Sequence, residues 1–397
     1  MRWYEGVAGD VPGKVGVNFG VSPLFAGLIR RKISRREGRF VYADTGTEEN
    51  IMTYDAILLV SFGGPEKPAD VLPFLENVLR GKNVPRQRME AVAEHYHHFG
   101  GKSPINGQNR ALLVALRAEL EQHGPRLPIY WGNRNWHPML ADTVRQMQAD
   151  GVRRALAFVT SAYSSYSSCR QYLENLTAAR EAVGEGAPTI DKIRAYYNHP
   201  LYIAATAERV QEALDRISQE RRPSAHVVYT AHSIPTSMAE NCRYSQQLTE
   251  AASLTSARLG RQPGPVVFQS RSGPPTQPWL GPDILEHLRA IAASGAAKDL
   301  VIVPIGFVSD HMEVVYDLDT EARALSAELG LTMVRAACVG THPQFIAMIR
   351  ELILERITPD GQRRSLGELG ASHDVCREGC CPLSNDPLRS EAAVHVP

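Results

Sequence analysis

His232 closes an apolar run from His226 to Ala231, and the proline loop Ser233-Ile234-Pro235 follows at once. An imidazole at a strand end can exchange protons near neutral pH or ligate a metal; a structural histidine fits the same place. A second group follows the apolar run Leu300 to Val308. It reads Ser309-Asp310-His311-Met312-Glu313, and Glu313, Asp317 and Glu321 are spaced by four. That spacing lines one helix face. Asp310 with Glu313 three residues on has the form of a capping box, and acid at a helix start suits the dipole. The same ladder could instead relay protons or a hydrated divalent cation. A third group, Cys376, Cys380 and Cys381, sets three thiols within six residues. It reads as a metal or iron–sulfur site short of one ligand, or as a free tail. The spacing matches no zinc template, and no fourth ligand stands out among Cys169, Cys242 and Cys338.

Weaker signals lie elsewhere. His95, His97 and His98 precede Gly100-Gly101 and read as the solvated end of a helix. The Ser- and Tyr-rich stretch from Ser161 to Cys169 suits hydrogen bonding to a large polar-edged ligand, or an ordinary loop. Gly101-Lys102-Ser103 imitates the end of a phosphate loop, but Tyr96 stands where that loop needs glycine and Pro104 follows directly. There is no dinucleotide fingerprint, nucleophile elbow or zinc helix.

The elements that must position these groups alternate. Strands are expected at Ala56 to Phe62, Leu127 to Arg134, Arg154 to Ala162 and Ile193 to Tyr197. The pattern restarts with strands at His226 to His232, Pro265 to Ser270, Asp299 to Val308 and Leu331 to Ala337. Helices at Ala111 to Gln122, Leu140 to Asp150, Ile284 to Ser294 and Glu313 to Leu329 separate them. Short apolar strands alternating with helices predict an α/β fold, with two similar domains, each a parallel sheet flanked by helices, facing across a cleft. Ligands in such sheets sit beyond the carboxyl ends of the strands, which brings His232, Arg134, Arg271 and the Ser309 loop together. The expected divisions are 1–51, a poorly ordered extension or processed targeting segment; 52–198 and 199–340, the two domains; 341–358, a helix; and 359–397, a cysteine-containing tail.

The chain has 397 residues, with 43 basic and 43 acidic side chains and 43% hydrophobic residues. This balance lacks the basic stripe of a nucleic-acid binder. No apolar window approaches the roughly 18 residues of a membrane span. Six cysteines fit a reducing compartment, and a cytoplasmic location is expected.

Six ordered motifs carry a resemblance. They are Ser61-Phe-Gly-Gly-Pro65, Gly100-Gly-Lys-Ser-Pro104, Gly132-Asn-Arg-Asn-Trp136, Tyr229 to Pro235, Phe268 to Pro275 and Pro304 to Glu313. Over about residues 54–355 the sequence resembles the ferrochelatases, which insert ferrous iron into a porphyrin during haem synthesis. The resemblance implies two chelatase-type domains, with the helix around Gln344 to Glu355 packed back on the first. It implies that His232 and Glu313 are the catalytic pair and the iron ligands, on opposite sides of the porphyrin. It places Asp317 on a proton or metal path and Ser103 and Tyr172 against the porphyrin. Ser61-Phe62 and Gly132 to Trp136 resemble the actinobacterial-type branch that uses coproporphyrin III. Some members carry a [2Fe-2S] cluster, for which Cys376, Cys380 and Cys381 would be ligands; no other cofactor is expected, since Fe2+ is substrate. The expected partners are the porphyrin, ferrous iron and haem-pathway enzymes, with no nucleic acid and no spanning membrane segment. The competing readings are protoporphyrin IX as substrate, cobalt or nickel loading of another tetrapyrrole, and a non-catalytic tetrapyrrole-binding module. The presence of both His232 and Glu313 argues against the last.

Overall fold

A computed structural model describes residues 53–383, except 82–83, 274–275 and 360, together with the backbone of Ser34–Arg36 and Arg39–Val41. Those two short segments pair antiparallel. The remainder of the expected 1–51 extension, and residues 384–397 of the tail, fall outside the described residues.

The first sheet comprises β1 (Ala56–Ser61), β2 (Ile129–Asn133), β3 (Arg154–Val159) and β4 (Thr189–Lys192), all parallel in the order β2-β1-β3-β4. Every residue of β1 is buried, because helices cover both faces. The second sheet comprises β5 (His226–His232), β6 (Val266–Gln269), β7 (Asp299–Val303) and β8 (Thr332–Arg335). Its order is β8-β7-β5-β6, again parallel. Counted within its own half, each sheet runs second, first, third, fourth strand. The two halves are copies of one α/β topology, and each reverses direction between its first and third strands. The fourth strand was expected at Ile193 to Tyr197. Those residues are buried beyond the ladder, which ends at Lys192: Tyr196 stacks on Phe158 of β3 with ring centroids 5.1 Å apart, and its ring lies 6.2 Å from that of Phe345. Burial there marks the core and not a strand.

The helices are α1 (Val71–Val78), α2 (Arg86–His98), α3 (Ile105–His123), α4 (Leu140–Ala149), α5 (Gln171–Val183), α6 (Pro200–Leu214), α7 (Tyr244–Arg258) and α8 (Ile284–Ser294). α9 begins at Met312–Val314, passes through a π-helical stretch, Val315–Ala322, and ends at Arg323–Glu328; α10 is Pro343–Ile357. α6 and α10 start alike. His199 and His342 are their N-caps, each accepting through Nδ1 from the backbone two residues on, at 3.2 and 3.3 Å. Proline follows each cap, where the missing N–H costs nothing. The two helices pack on each other. α6 lies against β7, β8 and α7 of the second half, while α10 crosses to α3 of the first. The buried pair Arg194–Glu355, 2.7 Å apart, and Arg350–Glu119, 3.0 Å apart, fix that crossing.

Candidate active site

β5 and β7 lie side by side at the point where the second sheet reverses, the usual place for a ligand crevice. His232 ends β5. The segment after β7 folds back over it, with Gly306 N–H donating to Thr230 O at 3.0 Å. A Cβ on Gly306 would stand 2.7 Å from the Ala231 Cβ, so only glycine lets this approach occur. The fold-back delivers Glu313 Oε1 to 3.7 Å from His232 Nε2. Gln269 Nε2 donates to the Glu313 carbonyl at 2.9 Å, and Tyr244 Oη to the His232 carbonyl at 3.1 Å. His232 Nδ1 donates to the Ser233 carbonyl, which turns Nε2 toward the carboxylate.

The electrostatics favour the charged form of each partner. Burial would lower the His232 pKa, but the Glu313 carboxylate outweighs it and the net shift is upward. Burial would likewise raise Glu313, whereas the charge and hydrogen bond of His232 bring it to about 2. The pair cannot straddle a porphyrin. A macrocycle between them would need about 3.5 Å of contact distance on each side, and 3.7 Å is the whole gap. The expected placement on opposite sides is therefore not the arrangement of the two side chains in this structure.

Glu313 is not part of a capping box. His311 is the N-cap of α9 and makes no side-chain cap bond. Asp310 instead pairs with Arg335, at 3.0 Å, and Arg335 also grips Asp319 at 2.8 Å. One guanidinium thus ties the loop before Glu313 to the stretch after Asp317. Ser270, held at φ 62°, donates its hydroxyl to Asp317. Asp317 is nonetheless raised to about 7, because burial and the nearby Glu313 and Glu321 outweigh that bond. Tyr316, on the π-helical stretch, stacks on His95 of α2 at 3.8 Å and 8°. His95 is therefore half-buried across the cleft, while His97 and His98 are the solvated ones.

Ser103, Tyr172 and Arg134 belong to the first half. Gly64 lies so close to Ser103 that a Cβ would reach 2.7 Å from its Cβ. Ser103 is 3% exposed and Tyr172 5%. Arg134, after β2, stands over the Tyr172 ring at 4.8 Å and Phe62 at 5.5 Å, and donates to the Ser167 carbonyl at 3.4 Å. Arg271 donates to the Gln277 carbonyl at 3.1 Å.

With that geometry, the comparisons are specific. The ferrochelatase family model matches residues 54–357. The chain belongs to the ferrochelatase family. A ferrochelatase of Rhodopirellula baltica is 56% identical over 328 residues, 83% of this chain and 93% of that protein. A coproporphyrin III ferrochelatase of Streptomyces coelicolor is 50% identical over 351 residues, covering 83% and 93%. One from Nocardia farcinica is 47% identical over 348 residues, covering 85% and 99%. No helix among the described residues is long and apolar enough to cross a membrane.

The enzyme also gathers its cysteines. Cys380 Sγ lies 3.8 Å from Cys381 Sγ and 3.7 Å from His373 Nε2. Ligand atoms of His373, Cys376 and Cys380 lie within 4.8 Å of one another. The neighbouring Cys376 and burial push the thiol of Cys169, on the π-helical turn Tyr166–Arg170, well above its ordinary pKa. Cys169 stands 207 residues before Cys376 in the chain (376 − 169), so sequence spacing does not disclose that neighbour. Among the described residues, the group whose ligand atoms lie together is His373, Cys376 and Cys380.

Proposed function

We propose that this enzyme inserts ferrous iron into coproporphyrin III, with His232 and Glu313 acting together on one face of the macrocycle. The observation that carries the reading is the His232–Glu313 pair, 3.7 Å apart at the point where the second sheet reverses. Insertion exchanges Fe2+ for two pyrrole protons, so the site needs oxygen or nitrogen donors for the ion and bases for the protons. The Glu313 carboxylate supplies a hard donor. Its engagement with the ion removes the counter-charge that raises the His232 pKa, so a proton held on His232 is released more readily. Asp317, with a pKa of about 7, suits taking that proton and returning it to solvent. Neutral His232 presents Nε2 to the ion or to a pyrrole N–H. Arg134 would be the group of the first half that a porphyrin touches, with the buried Ser103 and Tyr172 behind that surface. Relatives near 50% identity named for coproporphyrin III support that substrate.

Cys376, Cys380 and Cys381 would be ligands of a [2Fe-2S] cluster, which when bound supplies a one-electron centre. The porphyrin would come from the preceding haem-pathway enzymes, and a cytoplasmic setting fits the reduced thiols. The decisive experiment offers pure protein Fe2+ with coproporphyrin III or protoporphyrin IX and follows the Soret band. Preference for protoporphyrin IX would overturn the substrate, and normal turnover by His232→Ala would overturn the site.

A further inference from the structure

A cavity of about 210 Å³ lies where the first half meets the segments that follow β7 and β8. α3, α6 and both of those segments line it, and none of His232, Glu313 and Asp317 does. Two of its lining residues carry donors that nothing uses. Asn109 is 1% exposed, and its Nδ2 has no hydrogen-bond partner among the described residues. The same holds for Nε of Arg209, whose Nη1 is taken by Glu212 at 2.8 Å. A buried donor without an acceptor has given up water and gained nothing in return, so such groups mark places where an acceptor belongs. The rest of the lining is divided. Leu112, Val308 and Ala337 offer apolar surface, while Asp310 brings one negative charge, itself held by Arg335 at 3.0 Å. A carboxylate has two oxygens for two donors, and a guanidinium N–H favours an ionised acceptor. A short hydrocarbon body suits the apolar part, and Asp310 disfavours a second acid group. The volume suffices, since cavities of about 150 Å³ already take a benzene-sized guest.

The cavity also adjoins the segment that aims Glu313. Gln108 Oε1 accepts from Asp310 N–H at 2.9 Å, and Gly340 N–H donates to the Val308 carbonyl at 2.8 Å. Asp310 stands three residues before Glu313. We infer that the cavity is a binding site for a short-chain monocarboxylate, held by Asn109 and Arg209, and that its occupancy steadies the 308–310 segment and so raises turnover. The site does not depend on which porphyrin the enzyme takes, because binding is read without porphyrin.

The test uses the full chain with sodium butyrate as the probe, against sodium chloride at equal ionic strength and against inorganic phosphate. Binding is read as a saturating rise in melting temperature and by ligand-observed NMR of butyrate. Asn109→Leu keeps the shape of the side chain and removes the donor; Arg209→Met keeps the stem and removes the guanidinium. Each is expected to weaken butyrate binding by roughly 10-fold, the scale of one hydrogen bond to a charged group. Without butyrate, Asn109→Leu should melt no lower than wild type, since the donor it removes has no partner to lose. If that variant fails to fold, Arg209→Met carries the comparison from its place on α6. Iron insertion by wild type should rise with butyrate at the half-saturation of the thermal shift, and the variants should not respond in that range. No saturable response to butyrate beyond that to chloride leaves both donors to water and overturns the site. Phosphate bound as tightly as butyrate overturns the choice of a carboxylate. Binding with turnover unchanged overturns the coupling to Glu313.

Discussion

Asp310 and Glu313 have the spacing of a capping box, and so do Asp283 and Glu286. Only the second pair forms one, with Leu285 N–H bonded to Asp283 at 2.8 Å and Asp283 N–H to Glu286 at 3.2 Å. Asp310 is drawn away by Arg335, which no local pattern discloses. The site was legible as residue types at strand ends; the partner of each residue was not, because partners are chosen by tertiary contact. If Glu313 acts on iron and protons, Glu313→Gln should keep stability within about 1 kcal/mol, the scale of a helix cap, while turnover falls by roughly 100- to 10,000-fold. Losing the carboxylate should also lower the His232 pKa, seen as an earlier imidazole NMR transition on raising pH. Activity lost only in step with stability would sink the assignment. Asp317 gives a signed pH prediction. Its folded pKa, about 7, lies above 3.8, so between those values the native state holds a proton that the unfolded chain has released. Stability from this group therefore falls as pH rises through that window. Asp317→Asn removes the effect. Its melting temperature relative to wild type should rise between about pH 4 and pH 8, with about 4 kcal/mol as the upper bound for a shift from 3.8 to about 7; a constant gap would contradict the environment described.

Among the elements, β1, β5 and β7 could be read directly, since each is a short apolar run ending in a turn. The π-helical stretch Val315–Ala322 could not, because its acidic spacing also suits an ordinary helix. Tertiary ties from Arg335, Ser270 and His95 select the wider turn. Gly306 tests whether the fold-back aims Glu313. Gly306→Ala forces a methyl against Ala231, so overpacking should cost roughly 1–3 kcal/mol, with kcat falling more than KM changes. A variant with full kcat would separate loop position from catalysis. Arg194 and Glu355 are 0% and 4% exposed at the side chain. Removing one partner of a buried pair strands the other charge, so Arg194→Met should cost about 3–5 kcal/mol in urea unfolding.

Across the whole molecule, duplication was visible as a restart of the alternating pattern, and both sheets keep the same strand order. The tail was visible only as cysteines, because Cys169 is brought to it by folding. The family match begins at residue 54, where Tyr54 bonds Asp191 at 3.0 Å and receives Arg356 at 2.9 Å. A chain starting at Met52 keeps those bonds and should match full-length turnover and melting temperature; loss of either would mean that residues 1–51 contribute to the core.

The exchange of α6 and α10 reaches further. Each half hands its closing helix to the other, as two partners in an arm-swapped dimer do, with the linker between them left uncut. Neither half then owns a finished core. The protein should melt in one transition, and separately expressed halves cut near residue 220, after α6, should stay unfolded alone yet recombine when mixed. Movement at the cleft is accordingly left to its rims, the π-helical stretch and α2, since wholesale parting of the lobes would have to pull both borrowed helices out of their hosts.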